Sequence, residues 1–170
     1  MQSFLFDYRS CIKDPSTSTS LSCQTISSNM RFISLLAVAF APIVLGANFL
    51  VTVGEDSLFA FKPEEIHPAA GDTVTFQFLT RNHSATTTMF SGAVCPPPPG
   101  GFGTNGFDTG FQPTTATDHP EVTVTIKDTA PHFVSCMQAA GAHCRRGMIL
   151  AINPTADMTT AQFKANAIAS

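Results

Sequence analysis

A chain of 170 residues that is 44% hydrophobic and only 12% charged holds material for one sizeable core, and its length favours a single folded domain. The formal charge of -3 comes without any basic run, which speaks against grip on a phosphate backbone and against an electrostatic membrane patch. Nucleic acid is therefore not an expected partner.

In chain order, residues 1–29 are Ser/Thr-rich, show no clear period, and precede a methionine that opens a complete targeting signal. They read as an overextended start or a polar leader, and neither reading gives Cys11 or Cys23 a role. Residues 30–46 form that signal: basic Arg31, an apolar stretch at 32–45, then small residues Gly46 and Ala47, with cleavage expected after Gly46. The stretch is too short for a spanning helix. Residues 47–170 remain as the expected domain, with six basic side chains against ten acidic ones. The product is expected to be secreted, extracellular and monomeric, and no apolar tail suggests a lipid anchor.

Within the domain, β-rich runs fall at 49–53, 57–61 and 73–80, separated by Gly, Pro and Asp; alternation is clearest in TVTFQF. A second group of strands is expected at 122–127, 132–136 and 147–153. Between the groups, SGAVCPPPPGGFGTNGFDTGFQPTTATDHP carries too many prolines and glycines for a regular ladder and reads as a long surface loop. Short strands with evenly spaced turn signals predict an all-β Greek-key sandwich of about seven to eight strands. A short helix or turn is expected at 158–169.

Chemistry concentrates in CMQAAGAHCRRGM, residues 136–148. The domain keeps three cysteines, Cys95, Cys136 and Cys144, and an odd count in an oxidising compartment leaves one sulfur without an intramolecular partner. A thiolate, two imidazoles and a weak thioether make the trigonal site with a long axial bond that serves blue copper electron transfer. Cys136, His143 and Met148 from this segment, with His83 from the end of the early strands, can supply all four. A zinc site of Cys136, Cys144, His83 and His143 is the nominal alternative, but adjacent His143 and Cys144 lack knuckle spacing and Cys95 is left alone. A cysteine hydrolase fares worse, since Cys136 closes a strand and no orienting third group is apparent.

The stretches FKPEEIHPAAGDTVTFQF, NHS, GFDTGFQP, VTVTIKDTAP and C-x6-HCRRGMILAINP together resemble the secreted fungal cupredoxin-like proteins, relatives of plant phytocyanins and plastocyanins. The resemblance covers nearly all of 47–170. It implies one type 1 copper held by His83, Cys136, His143 and Met148, and a disulfide joining Cys95 to Cys144. Where family members often carry WFYC before the ligand cysteine, this chain reads HFVSC, so Phe133 is expected to cover the cysteine side chain and Ser135 to hydrogen-bond nearby.

Asn82-His83-Ser84 is also a glycosylation sequon, and a glycan there would crowd the metal. The alternative gives Asn82 and Ser84 the work of hydrogen-bonding the loops that orient the imidazole. His67, His119 and His132 are expected in surface or loop roles. The expected activity is one-electron transfer between Cu(I) and Cu(II) through the edge of His143, with no catalysed reaction and an unidentified redox partner. The competing expectation is an extracellular surface, cell-wall or matrix protein that uses the sandwich for recognition or sequesters copper.

Overall fold

The computed structural model describes residues 46–170, together with strands β1 (Ser10–Ile12) and β2 (Ser22–Gln24). β1 and β2 pair antiparallel with Cys11 opposite Cys23. Apart from Gly46, the expected signal at 30–46 lies outside the described residues, as does most of the expected leader. The chain divides into two compact units, Met1–Pro42 and Ile43–Ser170, and the second carries the site.

That unit opens with β3 (Asn48–Val53), in which Val51 and Val53 are buried while Leu50 faces outward. The strand stops at Gly54, whose φ of 75° only glycine adopts freely, and a 3-10 turn follows at Glu55–Ser57. Asp56 and Ser57 also have positive φ, so the strand expected over 57–61 does not form; only β4 (Phe61–Lys62) pairs back onto β3. Next come β5 (Glu65–Ile66), β6 (Thr73–Phe78), β7 (Asn82–His83), β8 (Thr86–Thr88) and β9 (Gln112–Pro113). The chain continues through β10 (Glu121–Thr125), β11 (His132–Ser135), the one-turn helix α1 (Ala142–Arg145), β12 (Ile149–Ile152) and α2 (Thr160–Ala169).

Eight of these strands form two four-stranded sheets, ordered β10-β6-β3-β4 and β5-β12-β11-β8, while β7 and β9 make a small separate ribbon. The fold is an all-β sandwich with a short C-terminal helix. Val51, Val53, Phe61, Val74, Phe76 and Phe78 of the first sheet meet Val134, Leu150 and Ile152 of the second in one buried cluster. Phe61, Phe76 and Phe78 are wholly buried, and each such side chain stabilises the fold by roughly 1.5–3 kcal/mol through removal from water.

The second sheet is covered on its outer face as well. Phe163 and Ala167 of α2 pack there on Phe133, Ile149 and Ala151. Every residue of β12 is consequently buried, which accounts for an unbroken apolar run, Ile-Leu-Ala-Ile, where a half-exposed strand would alternate. α2 starts at Thr159, whose side chain accepts from the Gln162 N–H while Gln162 reaches back to the Thr159 N–H. A capping box of this kind satisfies two orphan donors and fixes where the helix begins.

The long loop between β8 and β10 is tied to β8 rather than loose. Thr87 Oγ1 accepts the N–H groups of Phe102 and Phe107, both at 2.9 Å, and donates to the Phe107 carbonyl at 3.1 Å. Asp108 accepts from Thr86 Oγ1 at 2.8 Å and from the N–H groups of Gly100 and Gly110. Gly101 and Gly106 pass so close that a Cβ on either would lie within 3 Å of Thr87 Oγ1, so the glycine content follows from backbone packing on this hydroxyl.

Candidate metal centre

Four separate segments converge at one pole of the sandwich. His83 ends β7, which pairs with Gln112 of β9; Cys136 follows β11; His143 lies in α1; Met148 immediately precedes β12. His143 thus rides on a helical turn. Gly141 at φ 85° starts it, and Ala139 and Ala140 at positive φ bring the chain round from Cys136. Arg145 fastens this bend by donating to the carbonyls of Ala140 and Cys95, both at 2.9 Å. The His143 carbonyl accepts the Met148 N–H at 3.2 Å, fixing the backbone between these two residues.

The result is a triangle of ligand-type atoms. His83 Nδ1 and His143 Nδ1 are 3.1 Å apart, and Cys136 Sγ lies 3.7 Å from the first and 3.6 Å from the second. The circle through these three atoms has a radius of about 2 Å, the bond length that first-row metals make to imidazole nitrogen and thiolate sulfur. His83, Cys136 and His143 therefore form a group that could hold a metal ion. His83, Cys136 and Met148 are wholly buried and His143 is partly exposed.

The sulfur is held electrostatically as well as sterically. Backbone N–H groups of Ser84 and Gln138 both donate to Cys136 Sγ at 3.4 Å. Ser84 Oγ in turn accepts from the Met137 N–H at 3.0 Å and from Thr86 Oγ1 at 3.1 Å, and Thr86 is the residue that binds Asp108. A hydrogen-bonded chain thus runs from the long loop to the strand end that carries the sulfur.

Burial pushes the Cys136 thiol up, against the two N–H groups that favour the thiolate. Burial also lowers His83 to about 4, with smaller contributions from the nearby charges of His143 and Arg81. His143 is shifted down too, by burial first and then by Arg146 and Arg81. Both imidazoles are thus neutral at pH 7 and keep a lone pair for a metal, and a cation between them offsets the desolvation that disfavours the thiolate.

The His83 ring is wedged from behind. A Cβ at Gly54 would stand 2.8 Å from His83 Nε2 and 2.9 Å from its Cδ2. Thr80 Oγ1 donates to the Gly54 carbonyl and ties that turn to the strand end before His83. His83 Nε2 itself is buried without a hydrogen-bond partner among the described residues. On the outer side, Phe59 packs over His143 with ring centroids 4.4 Å apart.

The cysteines divide as the resemblance implied. Cys95 and Cys144 form a disulfide with Cα atoms 5.8 Å apart, and Cys136 is free and buried. Because the Cys144 sulfur is bonded, the four-ligand zinc alternative loses one of its ligands.

Three expected supporting roles need correction. Phe133 does not cover the cysteine; it lies on the opposite face of β11, against Phe90 and Phe163 at 4.8 Å each, because side chains alternate and Cys136 shares its face with Val134. Ser135 points to the same side as Phe133, and its buried Oγ has no partner among the described residues, so it does not bond near the sulfur. Asn82 Oδ1 is likewise buried and without a partner among the described residues, so of the two residues flanking His83 it is Ser84 that hydrogen-bonds around the site. Among the other histidines, His67 pairs with Glu65 on the surface, His119 is exposed, and His132, the first residue of β11, donates to Asp128 at 2.8 Å.

Gly54, Phe59, Thr86 and Asp108 had no part in the expected site. Their contribution is through backbone approach, ring packing and loop bonding. Only Gly54 left a sequence trace, as a glycine directly after an apolar strand.

No family model matches the chain, and no curated protein matches it. Solved structures do. Auracyanin A, a blue copper protein from the green thermophilic photosynthetic bacterium Chloroflexus aurantiacus, aligns at a TM-score of 0.44 with 16% identity over 62% of this chain and 96% of its own. Native pseudoazurin from Hyphomicrobium denitrificans aligns at 0.43 with 21% identity over 62% of this chain and 73% of its own. A reduced Cu(I) amicyanin variant aligns at 0.41 with 14% identity over 65% and 84%. At these TM-scores the function is read from the site alone.

Proposed function

We propose that the chain is a secreted type 1 copper protein that transfers single electrons and catalyses no reaction of its own. The observation that carries this reading is the buried triangle of His83 Nδ1, His143 Nδ1 and Cys136 Sγ, with sides of 3.1, 3.6 and 3.7 Å. Two imidazoles and one thiolate in a trigonal set suit copper, and a thioether at longer range completes such sites. Copper bound there would supply reversible one-electron chemistry.

The chain's own residues supply the rest. Cys136 is the soft donor, and the Ser84 and Gln138 N–H groups spread its charge. His83 is locked between Gly54 and the sulfur, so the site resists rearrangement when the oxidation state changes. Met148, wholly buried and backbone-bonded to His143, would be the thioether donor that the family resemblance implies. Partial exposure of His143 gives the site an edge toward solvent, whereas His83 and Cys136 are closed off from water. The disulfide between Cys95 and Cys144 supports an oxidising, extracellular location. The redox partner is an extracellular protein.

Stoichiometric Cu(II) added to the purified chain should give an intense blue colour that ascorbate bleaches and air or ferricyanide restores over repeated cycles. A blue protein that cannot be cycled would favour copper sequestration instead. A colourless, folded product with reactive Cys136 would remove the copper reading altogether.

A further inference from the structure

We propose that Phe59, Arg81 and Arg146 form a docking patch for an acidic protein surface, set against the exposed edge of His143. Arg81 and Arg146 are 65 positions apart in sequence, yet both guanidinium groups sit over the same ring, at 5.3 and 4.8 Å from the Phe59 centroid. That ring is the one packed 4.4 Å from His143.

Two like charges beside one ring repel each other, so their convergence favours a compensating partner. The face of Phe59 supplies part of it, through attraction between a cation and an aromatic quadrupole. The remainder is unmet within the fold. Among the described residues neither guanidinium makes an ion pair or a side-chain hydrogen bond, and both arginines are exposed. Of the four other basic groups, Lys62 pairs with Glu55 and Asp56, Lys164 with Glu64, and Arg145 is spent on backbone carbonyls, while Lys127 is exposed and makes no ion pair among the described residues.

The patch also opposes the charge of its surroundings. Residues 46–170 carry ten acidic against six basic side chains, so two arginines gathered on one ring stand out from an acidic composition. Clustered charge of one sign steers encounter with the opposite sign and fixes orientation. Arginine forks accept carboxylates in a bidentate way, and an aromatic centre flanked by arginine is the composition of energetic protein interfaces. The two side chains flank a flat ring on a surface, which suits carboxylates spread over another protein. This inference takes its purpose from the proposed electron transfer, but the binding it predicts needs no metal.

The test is an NMR titration of the full chain, metal-free and Cu(I)-loaded, with a short poly-L-glutamate as the acidic polypeptide. Amide shifts should centre on Phe59, Arg81, His143 and Arg146, and affinity should weaken about tenfold or more in Arg81→Glu/Arg146→Glu, and with added salt. The milder Arg81→Gln/Arg146→Gln variant, checked for native amide dispersion, should lose most of the affinity and covers the case where charge reversal prevents folding. Shifts located elsewhere, unchanged affinity in either folded variant, or equal response to inorganic phosphate or to phosphatidylserine vesicles would each overturn the proposal. A chain that takes no copper but binds the polypeptide at these residues would sink the redox reading and leave the patch standing.

Discussion

His83 and His143, 60 residues apart in the chain, bring their Nδ1 atoms to 3.1 Å, and both nitrogens face the same buried sulfur. Each imidazole is set by a different device. His83 is backed by Gly54, while His143 rides on a one-turn helix held by the disulfide and by Arg145.

The backing by Gly54 predicts a specific sensitivity. In Gly54→Ala the new methyl would meet the His83 ring at 2.8 Å, at a φ of 75° that disfavours any side chain. The variant should lose about 1–3 kcal/mol of stability. Copper affinity should fall with it, and the visible spectrum should shift because the imidazole is displaced. Urea unfolding of the metal-free chain and a copper titration separate the two effects.

The disulfide should matter for stability rather than for the ligand set. Cys95 and Cys144 are separated by 49 positions, and in the chain-entropy model a loop of that size is worth about 4 kcal/mol, with ~2–4 kcal/mol typical in practice. Cys95→Ala/Cys144→Ala should therefore unfold at lower denaturant while still turning blue with Cu(II). Paired denaturation and absorption measurements check this.

Acid should destabilise the metal-free protein over a defined window. His83 is lowered to about 4 in the folded chain from 6.5, with burial as the main cause. The unfolded chain then takes up a proton at higher pH than the folded one, so stability present above pH 6.5 falls as pH drops toward 4 and levels off below it, by roughly 2–3 kcal/mol. His143, also shifted down, acts in the same direction. Unfolding free energies across this range should show the slope, and His83→Asn should flatten most of it.

Thr87 holds the long loop through its hydroxyl as well as its backbone. Thr87→Val keeps the shape but strands the Phe107 N–H, at a cost of about 1–3 kcal/mol, while the Phe102 N–H keeps the Thr87 carbonyl at 3.0 Å. Hydrogen exchange at the Phe107 amide should accelerate more than at Phe102, and well before exchange in β11 or β12 changes.

Much of this molecule was legible in the sequence where periodicity and chemistry agreed. TVTFQF forms β6 with Val74, Phe76 and Phe78 on the core face, and Cys136 and His143, close in sequence, meet at the pole of the site. Local pattern failed where backbone conformation overrode it. The run at 57–61 looked extended, yet positive φ at Gly54, Asp56 and Ser57 turns the chain there and puts Phe59 beside His143. Thr86–Thr88, three buried threonines in β8, gave no alternating signal because their hydroxyls bond inward to the loop and site. The side of the strand taken by Phe133 follows from counting twos back from Cys136, a rule that outweighs similarity of composition to WFYC.

The most direct measurement is anomalous diffraction at the copper edge from crystals of the chain grown with Cu(II). The account predicts one copper per chain inside the triangle, about 2.0–2.3 Å from His83 Nδ1, His143 Nδ1 and Cys136 Sγ. Copper bound elsewhere, or a folded chain whose triangle holds none, would contradict it.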